Sequence, residues 1–149
     1  MKRIIYICFI AVSFVACKND KAKEKATILP LPTTQEYDPN RGEGKFENIE
    51  LEAINPSLAQ EGKNISEVKC QSCHKLTEER LVGPGWKGVT ERHTPAWILN
   101  FITNPDPMID KDPKLQAQLE ICLVRMPNQD VNEDAAFALL EYMRQIDDK

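Results

Sequence analysis

The sequence predicts an all-α fold of about four helices, and three observations carry that expectation. Apolar residues recur at helical rather than alternating spacing, and three segments open on a capping side chain followed directly by proline. No convincing pair of strands can be found, and ten prolines against five phenylalanines make a large β-sandwich unattractive. The 149 residues, 42% apolar and 28% charged, suit one globular domain with a modest tail. A net charge of −4 offers nucleic acid no electrostatic attraction, so no nucleic-acid partner is expected.

Residues 1–16 stand apart from that fold. Lys2 and Arg3 form a positive start, and Ile4 to Val15 is an uncharged apolar stretch too short to span a bilayer as a helix. The stretch ends Phe14-Val15-Ala16-Cys17 and is followed at once by Lys18-Asn19-Asp20. It resembles a bacterial lipoprotein signal, with Phe14 where leucine is usual. The resemblance implies export, lipidation of Cys17 as the new N-terminus, and attachment to the periplasmic face of a membrane. Loss of Lys2 and Arg3 would take the charge from −4 to −6. Residues 17–44, rich in Lys, Glu, Pro, Thr and Gly, read as a flexible tether with too few apolar groups to offset ordering entropy. Its typical reach would be about 30 Å. The folded domain is expected over residues 45–149, where Phe46, Ile49 and Leu51 restore apolar character.

The first helix is expected from Pro56 to about Cys70, capped by Asn55, with Leu58, Gly62, Ile65 and Lys69 along one side. The second has Thr94 as cap and Pro95 in its first turn; it carries Trp97, Ile98, Phe101 and Ile102 and stops before Asn104-Pro105. A third begins at Asp112-Pro113 with Leu115, Leu119, Cys122 and Leu123 on one face. The last begins at Asn132, where Glu133 and Asp134 favour the positive end of its dipole. Its stripe is Ala136, Leu139, Leu140, Met143 and Ile146.

The chemistry sits at Cys70-Gln71-Ser72-Cys73-His74. After Cys8 leaves with the signal and Cys17 goes to lipid, three cysteines remain, an odd number that a simple disulfide framework does not fit. Two thiols three positions apart at a helix end can both reach the vinyl groups on one edge of a haem, and the adjacent histidine is then held under the iron. Zinc would need a second ligand pair, and Cys122 and His93 are wrongly spaced. A thioredoxin-like pair would need a βαβ setting, which is missing.

From about residue 56 onward the chain resembles a small class I cytochrome c. Gly62 falls where that family packs its first helix against its last, and Leu139 and Tyr142 form the Leu-x-x-Tyr of the last helix. Gly83-Pro84-Gly85-Trp86-Lys87-Gly88 matches the family's Gly-Pro loop, where the proline carbonyl receives the proximal histidine's N–H. Arg92 falls where the family often places an arginine near a haem propionate. Ser66 departs from the pattern, standing where an aromatic usually completes the helix crossing; Ile65 is the residue available to compensate.

The resemblance implies one covalent haem c, redox proteins as partners and a single-electron carrier that catalyses no substrate conversion. Met126, followed by Pro127 and lying before the last helix, matches the family's methionine loop and is the expected partner of His74 on the iron. Met108 and Met143 read as packing or surface, and His93, just before a helix cap, as a residue near the surface. Trp86 and Trp97 are expected to wall the haem pocket, with either indole N–H a candidate for a propionate. Cys122 reads as a small buried hydrophobe. A haem sensor or peroxidase-like enzyme is the alternative, and it would need an open distal site. The Arg92–Pro105 stretch and the turn Met126-Pro127-Asn128-Gln129 also resemble lipoprotein cytochromes that accompany nitrous-oxide reductase.

Overall fold

The structure, a computed structural model, describes residues 36–147. The signal segment, Cys17 and the tether up to residue 35 lie outside the described residues. Among the described residues six helices follow one another: α1 (Pro56–Lys69), α2 (Val89–Arg92), α3 (Pro95–Thr103), α4 (Pro105–Lys111), α5 (Pro113–Cys122) and α6 (Glu133–Asp147). No strand occurs among the described residues; one isolated bridge links His74 and Arg80.

The helix starts follow from local capping. The Asn55 side chain accepts from the Ser57 and Leu58 N–H groups at 3.0 and 3.2 Å, Thr94 from Trp97 at 3.2 Å, and Asp112 from Lys114 at 2.8 Å. Asn132 accepts from Ala135 at 2.9 Å. Two helices exceed the four expected. α4 fills the stretch after Asn104, and α2 is a single turn directly after the Gly-Pro loop. Leu123, expected on the buried face of the third helix, instead ends it in the left-handed region (φ 58°) and is 83% exposed. At that conformation its side chain turns off the helix stripe.

The longest packed seam runs between α1 and α6. A Cβ on Gly62 would fall within contact distance of the Ala138 carbonyl and 2.9 Å from the Leu139 nitrogen, so the two backbones touch there. Ser66 is fully buried, its hydroxyl donating to the Lys63 carbonyl at 2.7 Å; half-buried Ile65 packs on the core beside it. A serine at this crossing is therefore satisfied within its own helix.

Residues 36–44, assigned above to the tether, pack onto the helical body instead. The fully buried Asn100 side chain donates to the Arg41 and Phe46 carbonyls, both at 2.9 Å, and accepts from the Phe46 N–H at 3.0 Å. The Tyr37 hydroxyl donates to Asp112 at 2.6 Å, and the Gly42 backbone closes over the buried Met108 side chain. These polar anchors explain how a segment poor in apolar residues is held.

Candidate functional site

The end of α1 turns tightly. The Cys70 and Gln71 N–H groups both donate to the Ser66 carbonyl at 2.9 Å, and Cys73 and His74 both donate to the Cys70 carbonyl at 3.0 Å. This turn sets Cys70, Cys73 and His74 along one open cleft whose walls include Ile98, Ile102, Leu115, Leu119 and Val131. Both cysteines are free and half-buried. Burial pushes the Cys70 thiol up to about 11, with Lys69 opposing weakly, so it stays protonated near neutral pH.

The following loop is strung back onto that turn: Gly83 donates to the Cys73 carbonyl at 2.9 Å and Trp86 to the Lys75 carbonyl at 2.9 Å. It brings the Pro84 carbonyl 2.8 Å from His74 Nδ1, which donates to it and leaves Nε2 as the ring's unprotonated nitrogen. Gly83 is required by this approach, since a Cβ there would lie 2.8 Å from Nδ1 and 2.9 Å from Nε2. Burial lowers the His74 pKa, only partly opposed by the Pro84 bond, so the imidazole is neutral, as a metal ligand must be. Buried Trp86 lies tilted against that ring, 6.1 Å between centroids, and edge-on to Tyr142.

Arg92 also borders the cleft, but its guanidinium donates to the Gly85 carbonyl at 3.0 Å and the Lys87 carbonyl at 2.8 Å. Its bonds brace the loop carrying Pro84. The same loop is tied from the far end of the chain: Asp147 accepts from Gly88 N–H, Thr90 N–H and the Thr90 hydroxyl at 2.6, 2.8 and 2.6 Å. Trp97 lines the cleft in a stack between His93 (3.7 Å) and Phe101 (5.0 Å). Its indole N–H donates to the buried Asp112 carboxylate at 3.4 Å, so this donor is already engaged within the protein. Burial would raise the Asp112 pKa, but bonds from Tyr37, the Lys114 N–H and Trp97 outweigh it and leave the group lowered, hence ionised.

His93 is less superficial than expected. It is half-buried against Trp97, and burial first, then Arg92 and Lys114, pushes it down to about 4. Cys122, expected to be buried, is half-buried and borders the cleft. Among the methionines, Met126 lines the cleft from the loop between α5 and α6, and the nearly buried Met143 lines it from α6. Met108 is fully buried in α4. Asp147 and the loop's Arg125 were not singled out from sequence, and Asp112 was read only as a helix start, because the partners in question lie 15 to 75 residues away and no local pattern marks them.

Two free thiols, a neutral imidazole with one open nitrogen and apolar walls make a donor set that suits a covalently attached haem. The cytochrome c family profile matches residues 59–147. The chain belongs to the cytochrome c family. A cytochrome c from Rhodothermus marinus superimposes with a TM-score of 0.67 at 33% identity, over 70% of this chain and 90% of that one. An engineered form of the Rhodothermus marinus protein bound to a carbene intermediate matches at 0.64 and 32%, over 71% and 92%. A cytochrome c domain from Pseudomonas putida matches at 0.50 and 27%, over 56% and 85%. No curated protein matches this cytochrome at a significant level. It is a small class I cytochrome c with the helical fold of those neighbours, a covalent haem c, and a role as an electron carrier between redox proteins.

Proposed function

We propose that this cytochrome is a periplasmic, lipid-anchored carrier of single electrons whose haem is attached through Cys70 and Cys73 and whose iron is closed by His74 and Met126. The observation that carries the reading is the 2.8 Å bond from His74 Nδ1–H to the Pro84 carbonyl, set between two free cysteines on an apolar-walled cleft. That bond fixes the ring plane and makes Nε2 more basic. When bound, the haem supplies a one-electron iron couple, and a Met/His pair favours a comparatively high potential. The apolar walls keep the site poorly hydrated, and Trp86 packs against the histidine that must not swing away. Were His74 and Met126 both to hold the iron, the chain would leave no place there for a substrate, which supports a carrier over an enzyme. Val68 and Val124 at the cleft's border are 83% and 55% exposed, so the pocket opens to solvent where a partner could approach. A nitrous-oxide reductase is one candidate redox partner, on the resemblance of the Arg92–Pro105 stretch and the Met126–Gln129 turn.

Acid–acetone treatment of the denatured holoprotein tests attachment. The colour should stay with the polypeptide, and in Cys70→Ser/Cys73→Ser it should extract almost completely. Free extraction from the wild-type chain would remove the thioether assignment. Anchoring is tested on the full-length product. The wild-type chain should partition into detergent, whereas Cys17→Ser should leave it in the aqueous phase. A wild-type protein found wholly in the aqueous periplasmic fraction would refute the lipid anchor.

A further inference from the structure

Arg125 immediately precedes Met126, and its guanidinium is bound by one helix. Nε donates to Asp106 Oδ1 at 2.8 Å, while Nη2 donates to Asp110 Oδ1 at 2.8 Å and to the Asp106 carbonyl at 2.9 Å. Asp106 and Asp110 are one turn apart on α4, so their carboxylates share a face. The planar guanidinium fork fits that pair in a way a point charge could not. The helix is itself a fixed support, because Pro105, Met108 and Ile109 are buried.

The chain between α5 and Met126 has little else to hold it. Leu123 sits in the left-handed region, and Leu123 and Val124 are 83% and 55% exposed. Two further ties flank this stretch: Arg80 Nη1 donates to the Ile121 carbonyl at 3.1 Å at the end of α5, and Lys69 donates to the Gln129 carbonyl at 2.7 Å beyond Met126.

We propose that Arg125 is a positioning residue for the distal ligand: its clamp on Asp106 and Asp110 holds Met126 in the cleft, and ionic strength loosens the clamp and exposes the iron to small ligands. This rests on Met126 being the sixth ligand. The salt response follows from solvent access, since Arg125, Asp106 and Asp110 side chains are 38%, 59% and 67% exposed and exposed ion pairs are screened. An incoming ligand's apparent affinity scales with the fraction of molecules whose distal position is open, so weakening the clamp raises it.

Imidazole, a small ligand uncharged above its own pKa, is titrated into the oxidised holoprotein at pH 8, with the shift of the main haem absorption band as the readout in every variant and loss of the sulfur-to-iron band as a second readout in those that keep Met126. Wild-type affinity should rise as salt goes from about 0.01 M to about 1 M. Arg125→Ala, and separately Asp106→Asn/Asp110→Asn, should bind imidazole about threefold to tenfold more tightly at low salt and respond little to added salt. Lys69→Ala should keep the wild-type salt response. If Met126→Ala binds imidazole far more tightly than wild type while Arg125→Ala matches wild type, the clamp is refuted and the ligand assignment stands. Tight binding in Arg125→Ala without it in the aspartate double variant also overturns the clamp. If Met126→Ala behaves as wild type, the ligand assignment itself fails.

Discussion

Gly62→Val should cost about 3 kcal/mol or more of folding stability, at the upper end of what overpacked cores lose. A side chain at this position meets the backbone of α6 at Ala138 and Leu139, not the movable end of a side chain. The helices can relieve the clash only by separating, which opens the seam that buries Ala59, Leu139 and Leu140. For a domain of roughly 110 residues the loss corresponds to a fall in Tm of at least about 10 °C. Gln60→Val, on the exposed side of α1, is the control for helix propensity and should shift Tm by no more than about 2 °C. A Gly62→Val protein melting within about 2 °C of wild type would show that the crossing is looser than the backbone contact implies. The consequence reaches the site, because α1 ends at the turn that carries Cys70, Cys73 and His74.

Helix starts with a local cause were legible in the sequence: Asn55-Pro56, Thr94-Pro95, Asp112-Pro113 and Asn132 each cap a helix as expected. α4 was not legible, because Asn104-Pro105 reads as the end of the preceding helix, and a second proline follows at Pro107. Both stand in the first turn, where a missing N–H costs no intrahelical bond. α2 was hidden for a different reason. Gly88 precedes it at φ 77°, and the Gly88 and Thr90 N–H groups at its start are satisfied by Asp147 at the other end of the domain, a partner no window of sequence contains. The same holds for residues 36–44, whose anchor is the buried amide of Asn100. The site divides along the same line. Cys70, Cys73, His74 and Pro84 could be placed together because a five-residue motif and one short loop bring them there. What Arg92 and the Trp97 N–H bind could not, since bonds to backbone carbonyls and to Asp112 depend on the finished packing.

Met126→Ala should produce the largest change in the chemistry of the site. A thioether is a soft, weak ligand for ferric iron and favours the ferrous state, so its loss should lower the potential. The expected shift is on the order of 0.1 V or more, within the ~0.8 V that axial ligands span. Oxidised wild-type protein should show the weak long-wavelength sulfur-to-iron band, and the reduced protein should resist carbon monoxide. The alanine variant should lose the band and take up carbon monoxide readily. The structure makes one control indispensable: Met143 borders the same cleft from α6, so Met143→Ala must keep the band if Met126 is the ligand. Met108→Ala should keep it too, while costing about 2–5 kcal/mol of stability because that side chain is fully buried. Loss of the band in Met143→Ala and its survival in Met126→Ala would move the ligand to α6 and leave a closed iron and a carrier. Rapid carbon monoxide binding by the reduced wild-type protein would instead show an iron with an open face, and the carrier reading would give way to a ligand-binding sensor or an enzyme.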